Sequence, residues 1–254
     1  MLFNLSSFFS DPRNMLIAFL LAFPGRMLAI SAHEFAHAWM ANRCGDPTAK
    51  MLGRLTLNPL KHLDPIGFIM MILVGIGWAK PVPVNPRNYR KWRKDDLLVS
   101  IAGVTMNLIL CLLGFLICAA MVFFIAKIKS SVATGAQVAA LLGDFNEYGR
   151  YIFFFSGSRM LYYVYEMVAL FVTVNLYLAI FNLIPIPPLD GYHVLNDLML
   201  KRRLFASGQA ARYAMTILYV LVFTGALSEG LGFVADNVFR GLGWAVQHLF
   251  ALIP

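Results

Sequence analysis

The chain is poor in charge. Of its 254 residues only 13% are Asp, Glu, Lys or Arg, against roughly a quarter in an ordinary soluble domain. So few charged groups cannot cover a water-facing surface, which excludes a normal soluble fold. Glutamate is scarcer still, with four in the whole sequence. Cysteine is also rare. Three residues do not make a disulfide framework. Cys111 and Cys118 share one face of a predicted helix but stand about 10 Å apart along its axis. Cys44 reads as a small buried or interfacial thiol. No soluble domain is visible.

What is present instead is long apolar sequence. Apolar residues make up 59% of the chain, and the mean hydropathy is +0.69. Leu97 to Ala126 and Met167 to Leu189 contain no charged residue. A helix needs roughly 20 apolar residues to cross about 30 Å of hydrocarbon, so both segments are long enough to span. Met15 to Asn42 is a third candidate, interrupted by Arg26, His33, Glu34 and His37. Tyr213 to Ser228 is shorter and needs Leu231 to Ala235 to complete a span. Ile66 to Ala79 and Gly241 to Pro254 read as re-entrant or interfacial pieces. The expectation is an all-α integral membrane fold, one domain over 1–254, with about four to six transmembrane helices.

Of the 21 Lys and Arg, 14 fall in three stretches: Arg43 to Lys61, Lys80 to Lys94 and Lys201 to Arg212. The positive-inside rule assigns these to the cytoplasm and the Lys127 to Arg159 connection to the outside. Every hydrophobic run then alternates in direction. Topology already requires the basic charge where it sits, so nucleic-acid binding is not expected.

The first span carries His33-Glu34-Phe35-Ala36-His37. Two imidazoles at i and i+4 on a helix reach a single ion. Imidazole suits zinc, and Glu34 stands where its carboxylate can take a proton from an activated water. A chance pentapeptide is the bland reading. Three of the chain's nine His and Glu lie within these five residues, between Met27-Leu28-Ala29-Ile30 and Ala38-Trp39-Met40-Ala41. Ionisable groups in membrane are costly and mark function by default. Removing this segment as a signal peptide would remove the chemistry, so it is not read as one.

A catalytic zinc takes a third protein ligand and keeps an open position. Met40 and Arg43 stand where a metzincin would place glycine and histidine, and no glutamate occurs between Glu34 and Glu147. His62, Asp64, Asp190, His193 and His248 remain. Asp190 follows a charge-free span within Asn182-Leu-Ile-Pro-Ile-Pro-Pro-Leu-Asp190-Gly191. Pro185, Pro187 and Pro188 break the helix there. A carboxylate at that depth needs a counter-charge, which a divalent cation supplies. A helix-capping aspartate is the alternative. Beside the histidine pair, the ligand reading is preferred.

Together, His33-Glu34-x-x-His37 and Pro-Pro-Leu-Asp190-Gly191 resemble the site-2 protease family of intramembrane metalloproteases. The chain looks like its compact prokaryotic type without a PDZ or CBS domain. Gly45-Asp46-Pro47-Thr48-Ala49, Gly53-Arg54-Leu55-Thr56-Leu57-Asn58-Pro59, Gly77-Trp78-Ala79-Lys80-Pro81-Val82-Pro83-Val84-Asn85 and Ala102-Gly103-x-x-x-Asn107 carry the resemblance further. It covers about residues 30–200, leaving C-terminal helices over 205–254. One departure is Val104, where the family commonly has proline.

The expected activity is therefore hydrolysis of transmembrane protein substrates in the cell membrane, near its cytoplasmic side. One Zn²⁺ per chain is held by His33, His37 and Asp190, with Glu34 as the base. Asn107 and Asn182 are candidate oxyanion or substrate donors; Asn175 shares that ambiguity, and joining helices is the plainer role for buried asparagines. Residues 52–79 are expected to form a short re-entrant β-like element, which either pairs with extended substrate or lies as a membrane-surface loop without substrate contact. The rival reading is a zinc-binding membrane scaffold or carrier without proteolysis. An intact Glu34 speaks against it.

Overall fold

A computed structural model describes residues 12–74, 77–129, 145, 148–200 and 208–252. Helix α1, Pro12–Cys44, runs through the histidine motif. Helix α2 is the short Pro65–Val74. Helix α3, Trp92–Lys129, is the longest. Helices α4, Tyr148–Ser156, and α5, Arg159–Asn182, follow. The short α6, Asp190–Val194, continues into a wider π turn over Leu195–Leu200. Helices α7, Gly208–Phe223, and α8, Ala226–Ala251, close the chain. Most of the Lys127 to Arg159 connection and residues 201–207 of the third basic stretch lie outside the described residues.

Three of these helices are long and apolar enough to cross a membrane: Leu16–Cys44, Trp92–Ile128 and Arg159–Asn182. A fourth span is reached if α7 and α8, bent by 75° where they join, are taken as one crossing. That gives the lower end of the expected helix number. Ten-residue α2 is too short to span, as its sequence implies.

Helix α3 is the central rod, packed against both α1 and α5. Its inner face buries Cys111, Phe115, Cys118, Ala119 and Val122 against Val172 and Leu176 of α5, with Tyr148, Ile152 and Phe239 completing the cluster. Helix α1 meets its neighbours through alanines, with Ala22, Ala29, Ala32, Ala36, Ala38 and Ala41 all buried. Small residues let helix backbones approach where lipid supplies no hydrophobic push between them. The outer face of α3 is the reverse. Leu108, Ile109, Leu112, Leu113, Leu116 and Ile117 are between 38% and 53% exposed. In water this stripe would be a large unsatisfied patch; in a bilayer it faces acyl chains.

The segment between α1 and α3 differs in kind from the β-like element expected over 52–79. Among the described residues it holds no strand. Asn58 caps a helical turn, Pro59–His62, through its side chain on Leu60 N. Asp64 caps α2 through Gly67 N. Its β character is a single antiparallel bridge between Leu63 and Ala79. Proline at the first helical position and an Asx cap in front of it are helix-start chemistry. They outweigh the alternation of Leu55, Thr56 and Leu57. The segment is fastened over the end of α1 by Asp46, which is fully buried. Its carboxylate accepts from Thr48 N, Asn85 N at 2.7 Å and Asn88 Nδ2 at 2.8 Å. These donors outweigh burial, so Asp46 is held below the usual carboxylate range. Arg54 adds a hydrogen bond to Lys80 O at 2.6 Å.

Candidate metal centre

His33 and His37 lie one turn apart on α1, and Asp190 opens α6 just past the proline-rich end of α5. Their ligand atoms all lie within 4.8 Å of one another, and this is the only such cluster among the described residues. Asp190 Oδ2 is 3.3 Å from each Nε2, and the two Nε2 atoms are 3.0 Å apart.

The other nitrogen of each ring decides what these contacts mean. His37 Nδ1 faces the Val99 carbonyl at 2.7 Å, so it carries the proton and donates. His33 Nδ1 faces Asn107 Oδ1 at 2.6 Å. That amide cannot be turned round: its Nδ2 donates to Ala29 O and to Asn175 Oδ1, and Asn175 Nδ2 in turn donates to Phe171 O. His33 Nδ1 is therefore a donor too. Both Nε2 atoms present lone pairs, and so does the carboxylate.

Three acceptors pointed at one another repel. Asp190 Oδ2 is buried without a hydrogen-bond partner, although both rings stand near it. The separations match the edge of a tetrahedron with bonds of about 2.0–2.1 Å, whose edge is about 3.3 Å. A divalent cation fits the donor set and resolves the repulsion. Proton sharing would satisfy one pair of the three.

Space is kept for an ion by a missing side chain. Gly103 of α3 faces the cluster; a Cβ there would lie 2.5 Å from His37 Nε2 and 2.7 Å from His33 Nε2. Glu34 sits beside the rings, and its Oε2 accepts from Val82 N at 2.8 Å. One carboxylate oxygen is thereby fixed to the loop, which leaves the other for proton transfer.

The remaining sequence candidates fall elsewhere. His193 turns to Asp96 on α3 at 3.0 Å, tying α6 to α3. This pairing raises its pKa above the ordinary histidine value despite burial. Asp197, its neighbour, is pushed up to about 6 by burial and by Asp96. His62 is buried away from the cluster, and His248 bonds Trp244 O on its own helix. Asn107 is fully buried with its amide engaged on protein partners, so the donor expected for substrate is already in use. Asn182 is half-buried and donates back to Leu178 O at 2.9 Å. Val99 O and Val82 N were not foreseen. Being backbone groups, they have no signature in residue type.

A helical membrane bundle that gathers two imidazoles, a carboxylate and a neighbouring glutamate defines a membrane metalloenzyme. The model of Peptidase family M50 matches residues 18–225, and the chain belongs to this family of site-2 proteases. It is 38% identical over 198 residues to "Putative zinc metalloprotease YwhC" of Bacillus subtilis, covering 78% of each chain. It is 28% identical over 225 residues to "Putative zinc metalloprotease Rip2" of Mycolicibacterium smegmatis, covering 86% of this chain and 72% of that one. The protein named Rip2 from Mycobacterium tuberculosis is 27% identical over 214 residues, with 83% and 69% covered. No solved structure matches the chain at a significant level. The protein is a membrane-associated zinc metalloprotease.

Proposed function

We propose that this protein is an intramembrane endopeptidase that cuts transmembrane protein substrates, with the site reached from the cytoplasmic side of the cell membrane. His33, His37 and Asp190 hold one zinc ion per chain, and Glu34 is the general base. A single membrane domain over 1–254 carries the activity. The observation that carries this reading is the convergence of three lone-pair donors on a space that Gly103 leaves open.

A zinc ion held there supplies Lewis acidity toward the scissile carbonyl and toward water. Glu34, oriented by Val82 N–H, takes the proton of the attacking water and delivers it to the departing amide nitrogen. Val99 O and Asn107 hold the two imidazoles in the tautomer that turns Nε2 to the metal.

The test is cleavage of single-span substrates by purified protein and by Glu34→Gln, with zinc measured in both. Glu34→Gln retains its zinc and loses at least about 100-fold in rate, the scale of a missing general base. Equal cleavage by the two proteins would remove Glu34 from the reaction. Zinc without cleavage in the wild type would favour the scaffold reading.

A further inference from the structure

The loop that presents Val82 N–H to Glu34 has little backbone structure of its own. Residues 79–85 belong to no helix, and their start is joined to Leu63 by a single bridge. Pro81 and Pro83 flank Val82 and carry no N–H. Such a segment takes its position from side chains.

Two buried charged groups grip it, one on each side of Val82. Upstream, Arg54 is 8% exposed and donates through Nη2 to Lys80 O at 2.6 Å and to Pro81 O at 3.4 Å. Downstream, Asp46 divides its oxygens. Oδ2 accepts from Asn85 N, while Oδ1 accepts from Asn88 Nδ2 and from both Thr48 N and Thr48 Oγ1. A buried charge is costly unless hydrogen bonds satisfy it. Here most of those bonds end on one stretch, residues 80–88.

Both grips are rooted beside α1. Asp46 follows the end of α1 by two residues, and its own N–H bonds Ala41 O at 2.9 Å. The intervening Gly45 turns the chain at a φ of +109°, where a Cβ would lie 3.0 Å from Asn88 O. Arg54 N bonds Ala49 O at 2.8 Å. Ala49 in turn packs with Ala38 of α1 and with Val82 in one buried cluster. Neither charged side chain bonds Glu34 itself, so any effect on the base passes through the loop.

We propose that Asp46 and Arg54 are positioning residues for the reaction: they clamp the loop on both sides of Val82 and thereby fix the Glu34 carboxylate for proton transfer. This rests on the proposed role of Glu34 as the base and adds the residues that aim it.

The experiment is a double-mutant cycle on the full-length protein, with single-span substrate. Val82→Pro removes the N–H with little change in the path of the chain, because Pro83 already holds residue 82 in the extended region. Asp46→Asn leaves one acceptor oxygen for four donors, and Arg54→Gln shortens the upstream grip. Rates are taken per bound zinc, so molecules that fail to fold do not enter them. Asp46→Asn and Arg54→Gln each lower kcat about tenfold with KM unchanged, inside the roughly 100-fold that a misplacement of about 1 Å can cost. Combined with Val82→Pro, each stays within about twofold of Val82→Pro alone, because the N–H it serves is already gone. A merely structural role gives losses that multiply. With Glu34-dependent cleavage intact, multiplying losses overturn the proposal, as does wild-type kcat in Val82→Pro, Asp46→Asn or Arg54→Gln. Absence of any Glu34-dependent cleavage in the wild type overturns the proposed function as well, which separates the two failures.

Discussion

At the scale of single residues, the centre depends on which ring nitrogen holds a proton. The chain Phe171 O, Asn175, Asn107, His33 passes one fixed orientation from helix to helix until Nε2 faces the ion site. Groups that orient metal-binding imidazoles typically change affinity 10–100-fold when removed. Asn107→Leu is expected to weaken zinc binding by that amount, read by competition with a chromophoric chelator. Asn175→Leu should cost less, because it acts only through Asn107. An Asn107→Leu protein with wild-type affinity would show that the tautomer is set some other way. The cluster proposed to hold the metal was legible in sequence: His33 and His37 repeat at a helical spacing, and Asp190 is an isolated charge after a charge-free span. Asn107 was legible as the end of the Ala102-Gly103-x-x-x-Asn107 motif and as an amide for either substrate or a neighbouring helix. Its use was not, because its partner is 74 positions away and an amide suits substrate and imidazole equally well.

At the scale of elements, the site exists because α1 and α3 cross with a glycine at the contact. Gly103 is interior to α3, where alanine would favour the helix by roughly 1 kcal/mol. The position keeps glycine because a methyl would enter the space between the rings. Gly103→Ala should therefore leave the bundle folded by circular dichroism while zinc content drops below about a tenth of wild type, since a 2.5 Å approach to a ring nitrogen is far inside contact distance. Zinc at full occupancy in Gly103→Ala would mean that α3 shifts freely against α1. Element type was readable wherever hydrophobic runs were long, as in α3 and α5. It was misread over 52–79, where the runs are short and local capping at Asn58 and Asp64 overrides alternation. The loop's main task, presenting Val82 N to Glu34, depends on Asp46 and Arg54 folding it back onto α1. No local sequence pattern reports such a contact.

At the scale of the molecule, depth and direction follow from helix arithmetic. His33 is eleven residues before the end of α1, and Gly103 is eleven residues after the start of α3. Both lie about 16 Å in from the same side, which is the side of the 45–91 loop. Asp190 comes to that depth from the opposite direction, just after α5 ends. Of the 21 basic residues, ten lie between Arg43 and Lys94. The charge rule then puts this loop in the cytoplasm and the start of α5 outside. The assignment is testable with single cysteines, because the native thiols at 44, 111 and 118 are all free and buried and can be replaced. Arg87 and Met160 are exposed at the two proposed sides. In intact cells expressing the protein, a membrane-impermeant maleimide should label Met160→Cys, and Arg87→Cys only after permeabilisation. The reverse pattern would turn the molecule over. The metal would then be reached from outside, and the three basic stretches would need another explanation.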